Sequence, residues 1–151
     1  YDAISMFDVI EHFDWNSSRH IIAKLIDRMA PGGLFLGNTP NFHSLNIRIS
    51  GPRDPVISPP YHTTYFTPET LHRYFISFGL QKIGLATMIF SEERFFRKFS
   101  LYDTGNENKI TGLSKRLIRF AFKVLFRPLF WLLPLFGAGY QIYYCYRKPG
   151  N

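Results

Sequence analysis

In the first forty residues, the pattern of apolar and polar positions predicts two buried strands with one amphipathic helix between them. Residues 2–8 are largely apolar without a period of two, which predicts a strand covered on both faces. A helix is predicted over residues 17–30, with Asn16 or Ser17 as its cap. Apolar side chains recur there at helical spacing: Ile21, Ile22, Leu25, Ile26 and Met29.

The next segments complete the first supersecondary unit. The turn Pro31-Gly32-Gly33 ends the helix, and residues 33–39 (GLFLGNT) predict a second buried strand. Strand, helix and strand with tight connections form a βαβ unit, so we expect the two strands to be parallel.

A long segment without hydrophobic periodicity follows the second predicted strand. Residues 40–66 contain five prolines and predict a loop, and long ordered loops in compact domains usually carry function. Thr67 and Pro68 then predict the start of a helix, as cap and first helical residue, and Gly79 closes it. Strands are expected near residues 80–90 and over residues 139–148 (GYQIYYCYRK).

Composition narrows the class of protein. The 151 residues are 46% hydrophobic, which fits one globular domain and excludes disordered and fibrous classes. The single Cys145 excludes an internal disulfide framework, and the N-terminus has no signal-peptide pattern. We therefore expect a cytoplasmic protein.

The net charge of +7 is concentrated in one segment. Residues 109–127 hold six basic side chains and no acidic one. Over residues 113–127 the basic residues form one stripe of a predicted helix, and apolar residues fill the rest of its circumference. The apolar run is too short for a bilayer span.

Two interpretations of this helix stay open. It can lie in a membrane interface at residues 113–136, peripheral to the inner face of an anionic membrane, or it can form a lid packed on the sheet. The positive charge favours the membrane. Nucleic acid is disfavoured as a partner, because the aromatic and basic residues do not alternate as stacking platforms would.

Three chemically competent side chains follow the first strand. Ligands of parallel α/β sheets bind at the carboxyl ends of the strands, where Asp8, Glu11 and His12 lie. One helical turn would gather them on one face, where they could bind a divalent cation or accept a proton from a substrate hydroxyl. The alternative is that Glu11 and His12 shape the loop and cap the next helix.

Three stretches together resemble a known family: FDVIEHF, then MAPGGLFLGNTPN, then PYHTTYFTPETLHRYFISFGL. In this order they are similar to class I S-adenosylmethionine-dependent methyltransferases, and most to the subgroup of the ubiquinone-biosynthesis O-methyltransferases. The resemblance covers residues 1–90 and extends to the last strand. It implies an α/β, Rossmann-like methyltransferase fold in which this chain supplies strands four to seven of a seven-stranded, mostly parallel sheet.

The resemblance also implies a domain organisation. The chain is expected to be one partial methyltransferase domain over residues 1–151, with an insertion at 91–138 that carries the basic and aromatic helix. The first residues already lie in a strand that has the pattern of a central one. We therefore expect a C-terminal half whose glycine-rich cofactor loop and ribose-binding acid lie upstream.

The family's functional residues can be carried over to this sequence. The resemblance implies a magnesium site at Asp8, Glu11 and His12, because the quinone O-methyltransferases have an acid-x-x-Glu-His motif there. It implies that Phe7 contacts the cofactor, unless it is a plain core aromatic. His62 is a candidate general base or substrate contact, or else a structural hydrogen-bonding residue of its loop. Asn41 either serves the turn after the second strand or lines the substrate pocket.

Together these features predict transfer of a methyl group from S-adenosylmethionine to an acceptor. The acceptor is expected to be a small or lipid-linked molecule, methylated on oxygen in preference to nitrogen or carbon, with Asp8 and His62 as catalytic candidates. The alternative is an inactive methyltransferase-like module that associates with a membrane.

Overall fold

The computed structural model describes residues 1–88 and 132–150, together with the single positions Leu117, Phe120, Ala121 and Val124. In these residues four strands form one sheet: β1 (Ala3–Phe7), β2 (Leu34–Pro40), β3 (Gln81–Met88) and β4 (Gln141–Arg147). The helices are α1 (Trp15–Asp27), α2 (Leu45–Ser50) and α3 (Pro68–Ile76), with single 3-10 turns at Ile10–His12, Gly51–Arg53 and Leu133–Phe136.

The strands lie in the order β1-β2-β4-β3. Strands β1 and β2 pair in parallel, with Ala3 opposite Leu34 and Phe7 opposite Asn38, so the predicted βαβ unit is confirmed. Strand β4 pairs antiparallel with both β2 and β3. The last strand of the chain is therefore inserted between two earlier ones, and its N-terminus lies beside the carboxyl ends of β1 and β2.

Apolar side chains from the sheet and the helices form the main core. Alternate strand residues such as Phe35 and Tyr146 contribute to it, and Ile22, Leu71 and Phe75 come from α1 and α3. Gly37 lies in β2 between Met6 of β1 and Tyr144 of β4. A Cβ there would collide with the Met6 carbonyl group and the Tyr144 hydroxyl, so only glycine fits this register.

Helix α1 begins and ends earlier than its sequence pattern predicts. The predicted caps, Asn16 and Ser17, are wrong: both donate their backbone N–H groups to the Asp14 carboxylate, at 3.0 Å each. Asp14 is the cap because its side chain satisfies two amides of the first turn at once. Helix α3 agrees with its prediction, since Thr67 caps it in a reciprocal pair with Thr70 and Pro68 is its first residue.

The segment 40–66 is not the plain loop that its prolines predict. Ser44 caps α2 by accepting a hydrogen bond from the Ile47 N–H, and a 3-10 turn follows. Ile47, Val56 and Tyr140 then form a second, smaller apolar cluster beneath the segment. This cluster fixes the loop over the carboxyl end of the sheet.

The predicted insertion at 91–138 and the helix at 113–127 lie mostly outside the described residues. Of this helix the structure describes only Leu117, Phe120, Ala121 and Val124, all helical and exposed. Among the described residues, no helix has the length and apolar character needed to span a bilayer.

Candidate functional site

Three strand ends meet at one edge of the sheet. Strands β1 and β2 finish there, and β4 starts there because it runs antiparallel to both. In sheets of this kind the carboxyl edge is where ligands bind. A cavity of about 240 Å³ opens at this edge, with Asp8, Glu11, His12, His62, Tyr140 and Gln141 in its wall.

The turn after β1 holds its first residue in a strained conformation. Asp8 has φ of 51°, in the left-handed region that few non-glycine residues occupy. Asn38 holds it there, because the Asp8 N–H donates both to the Asn38 Oδ1 at 2.9 Å and to the Asn38 carbonyl oxygen at 3.2 Å. Strain of this kind is often found at functional sites, where the surrounding structure maintains it.

A polar network connects Asp8 to the start of β4. The Asp8 carboxylate accepts a hydrogen bond from the Gln141 Nε2 at 3.0 Å. The Gln141 Oε1 accepts in turn from the Asn38 Nδ2 at 3.2 Å and from the Tyr143 hydroxyl at 3.1 Å. The carboxylate of Asp8 is exposed to solvent, but its hydrogen bond from Gln141 fixes its orientation. The sequence interpretation missed Asn38 and Gln141. Both are polar residues at the end of an otherwise apolar strand, and that position was the signal that could have identified them.

Glu11 is a buried carboxylate in the 3-10 turn, with 3% of its surface exposed. The Thr39 hydroxyl donates to its Oε2 at 3.0 Å, and burial raises the pKa of the Glu11 carboxyl. The Glu11 carbonyl oxygen accepts the N–H groups of Thr63 and Thr64, at 2.9 and 3.1 Å. Glu11 therefore ties the loop that carries His62 to the end of β1.

The two histidines of the cavity are oriented by the backbone. The His12 Nδ1 lies 2.8 Å from the Tyr61 carbonyl oxygen, and the His62 Nδ1 lies 2.6 Å from the Val56 carbonyl oxygen. A carbonyl oxygen only accepts, so each Nδ1 carries a proton and donates it. In the neutral rings each Nε2 is then an acceptor. The ring centroids are 4.8 Å apart in an edge-to-face arrangement.

The structure brings together Glu11, His12 and His62. One ligand atom from each lies within 4.8 Å of the other two. Two of the three predicted metal ligands, Glu11 and His12, belong to this set. Asp8 does not, since its carboxylate faces Gln141. Ligation by Asp8 stays a prediction, and the geometry favours His62 as the third ligand.

Asn41 is fully buried and its polar atoms are engaged in the turn. Its Nδ2 donates to the carbonyl oxygens of Gly137 and Gly139, at 2.8 and 2.7 Å, and its Oδ1 accepts from the His43 N–H at 3.0 Å. These bonds join the end of β2 to the approach to β4. Of its two sequence interpretations, the geometry favours the structural one, and contact with a substrate stays a prediction.

Phe7 is the last residue of β1, and 54% of its surface is exposed. Among the described residues its side chain is not enclosed in a core, and the alternative interpretation as a core aromatic stays open. Its contact with a cofactor stays a prediction.

A family model described as "Methyltransferase domain" matches residues 1–85. No curated protein sequence matches the chain. Among solved structures, the chain is similar to a SAM-dependent methyltransferase from Archaeoglobus fulgidus, with 19% identity and a TM-score of 0.56. That match covers 97% of this chain and 59% of the neighbour.

A second structural neighbour is phosphoethanolamine N-methyltransferase 2 of Haemonchus contortus in complex with S-adenosyl-L-methionine. It has 12% identity and a TM-score of 0.52, over 99% of this chain and 33% of the neighbour. These matches confirm the predicted fold, a partial Rossmann-like methyltransferase sheet with helices. With the family model covering more than half of its residues, this chain belongs to the methyltransferase-domain family.

Proposed function

We propose that the protein containing this chain transfers a methyl group from S-adenosylmethionine to an oxygen atom of a small hydroxylated acceptor. The family match and the two SAM-dependent neighbours support the donor. The chain spans 59% and 33% of those neighbours, so the rest of the cofactor site belongs to the remainder of the protein. The acceptor's reacting end enters the cavity at the carboxyl edge of the sheet.

The observation that carries the proposal is the presence of two oriented proton acceptors in one cavity. The Asp8 carboxylate is fixed by Gln141, and the His62 ring is fixed by the Val56 carbonyl. A hydroxyl between them loses its proton to one of these groups as its oxygen attacks the methyl carbon. The carbon–sulfur bond breaks, the carbon–oxygen bond forms, and S-adenosylhomocysteine leaves. The protein supplies the base and the alignment.

The part of the cavity that this chain forms is small. At about 240 Å³ it is smaller than the roughly 300–1,000 Å³ of pockets that enclose a whole drug-sized ligand. It therefore suits the reacting ring or headgroup of an acceptor. Phe7 is exposed at the adjacent strand end, and we assign it to a contact with the cofactor.

The test is methyl transfer by the full-length protein from radiolabelled S-adenosylmethionine to a panel of phenols and catechols. Asp8→Asn and His62→Gln each remove one candidate base, and His20→Gln, on the exposed side of α1, is the matched control. Loss of the base in use lowers kcat about 10²–10⁴-fold. The affinity for S-adenosylmethionine stays unchanged.

Two outcomes would count against oxygen methylation. Full activity in both Asp8→Asn and His62→Gln would exclude base catalysis in this cavity. Phosphoethanolamine serves as the amine probe. If it is methylated and no hydroxylated compound is, the acceptor atom is nitrogen and not oxygen.

A second candidate function is docking to an anionic membrane surface, and it has its own observation. Leu117, Phe120 and Val124 lie at helical spacing and are 61%, 68% and 59% exposed. Leu135 and Phe136 are 78% and 79% exposed. Exposed apolar side chains beside the basic segment 109–127 fit a lipid interface, and a lipid-linked acceptor would be reached from there.

Co-sedimentation with vesicles of phosphatidylcholine, with and without phosphatidylserine, tests this second candidate. Replacing Leu135 and Phe136 together by serine is expected to weaken binding about tenfold or more, because the interfacial apolar area is lost. Ile76→Ser, on α3, is the matched control. A protein that never sediments with anionic vesicles contradicts the proposal. Membrane binding without any methyl transfer would favour the inactive-module alternative.

A further inference from the structure

The cluster Glu11, His12 and His62 offers one carboxylate and two imidazole donors within 4.8 Å of one another. We propose that these three side chains bind a divalent transition metal ion, with Zn²⁺ as the reference ion. Three arguments support this assignment: the orientation of the rings, the environment of the carboxylate and the chemistry of the donor set.

Both imidazoles are arranged as metal ligands usually are. A ligating histidine donates the N–H of its other ring nitrogen to a carbonyl or carboxylate oxygen, which fixes the tautomer and leaves one lone pair for the metal. His12 does this with the Tyr61 carbonyl and His62 with the Val56 carbonyl. The two hydrogen bonds come from different parts of the loop, so the loop itself sets both rings.

The Glu11 carboxylate is buried, unlike most acidic side chains. Glu11 is 3% exposed, and the Thr39 hydroxyl donates to its Oε2. A buried carboxylate is costly unless a cation or several donors face it. Within the described part of the chain, no salt bridge is recorded for Glu11. A bound cation would supply the missing positive charge.

The donor set selects the class of metal. Mg²⁺ prefers an octahedron of oxygens, whereas imidazole suits Zn²⁺ and Fe²⁺. A site with two histidines and one carboxylate keeps open positions for water or a substrate oxygen. Donors around Zn²⁺ with bonds of about 2.0–2.1 Å stand roughly 3–3.5 Å apart. From separations of up to 4.8 Å, the three donor atoms therefore need to close by about 1.3–1.8 Å or less, which small side-chain rotations can supply.

The metal changes the assignment of the base. A hydroxyl bound at an open position becomes more acidic, and His62 as a ligand no longer accepts a proton. Asp8, which also lines the cavity and is oriented by Gln141, then remains as the proton acceptor. This consequence rests on the proposed function, whereas metal binding itself does not.

Metal content and calorimetry test the site in the full-length protein. After treatment with EDTA and dialysis, titration with Zn²⁺ is expected to show one site, and titration with Mg²⁺ at the same concentration none. His62→Gln and His12→Gln should each weaken Zn²⁺ binding about 100-fold or more, since losing only a residue that orients a metal ligand already costs about 10–100-fold. Asp8→Asn should change it less than about threefold, as should His20→Gln.

His12 makes the test robust against misfolding. Its side chain is exposed, so His12→Gln leaves the core intact even if a change at the buried Glu11 prevents folding. Zn²⁺ binding unaffected by both histidine variants would overturn the proposal. Loss of Zn²⁺ binding in Asp8→Asn and His12→Gln, with His62→Gln unaffected, would move the site to Asp8, Glu11 and His12, the ligand set predicted from sequence. A protein that binds Zn²⁺ at this site but methylates no hydroxyl would retain the metal site and reject the proposed function.

Discussion

The hydrogen bond from Thr39 to Glu11 is the contact whose removal has the clearest physical consequence. Thr39 is fully buried and Glu11 is 3% exposed, so little water reaches this hydrogen bond from the protein surface. Thr39→Val has nearly the same shape but no hydroxyl. Hydrogen bonds to charged groups contribute about 1.5–3 kcal/mol, and an unsatisfied buried group costs a similar amount. We expect Thr39→Val to lower the free energy of unfolding by about 2–3 kcal/mol.

Thr39→Ser is the matched control, because it keeps the hydroxyl and removes one methyl group. Its expected cost is about 1 kcal/mol. The assay is urea unfolding of the full-length protein in EDTA, so that no metal contributes to stability. In a Glu11→Gln background the cost of Thr39→Val should fall below about 1 kcal/mol, since the buried charge is gone. A Thr39→Val protein as stable as Thr39→Ser, or more so, would refute the reasoning.

Three further predictions concern the frame of the site. Asn41→Ala removes three hydrogen bonds of a buried side chain and should cost about 2–4 kcal/mol in urea unfolding, and an unchanged midpoint would contradict the role assigned to Asn41. Gly37→Ala should yield little soluble protein because of its backbone collision, whereas Gly84→Ala, with open space around it, should fold; equal yields would contradict this. Burial raises the pKa of Tyr146 to about 12, above the unfolded value of about 10. Its contribution to stability is therefore complete below pH 10 and is lost as the pH rises to 12, and Tyr146→Phe should flatten alkaline unfolding there.

The first and third helices and all four strands could be predicted from sequence because local signals define them. Thr67 and Pro68 specify the start of α3 through contacts within four residues. The error at α1 was also local, since Asp14 captures amides that follow it by two and three residues. The pattern predicted α1 but placed both of its ends too late, and it missed the cap because several good capping residues follow one another there.

Long-range contacts explain what the sequence could not reveal. Helix α2 depends on packing of Ile47 against Val56 and Tyr140, and the prolines of the segment hide it. His62 lies close to Glu11 and His12 because its loop is held by backbone hydrogen bonds to the Glu11 carbonyl oxygen. No spacing rule reports such a contact across about fifty residues.

The orientation of Asp8 illustrates the same limit. Its partner Gln141 is 133 positions away, on a strand that inserts itself between two earlier ones. Alternating aromatic residues predicted that strand but not its place in the sheet. The sequence therefore placed Asp8, Glu11 and His12 at the carboxyl edge, and the topology decided which residues they touch.

The most direct test of methyl transfer at this edge is a crystal structure of the full-length protein with S-adenosylhomocysteine. We expect the cofactor's sulfur at the mouth of the cavity between Asp8 and His62, with Phe7 in contact with the ligand. A sulfur atom bound away from this edge, or no binding at millimolar ligand, would contradict the assignment of the site.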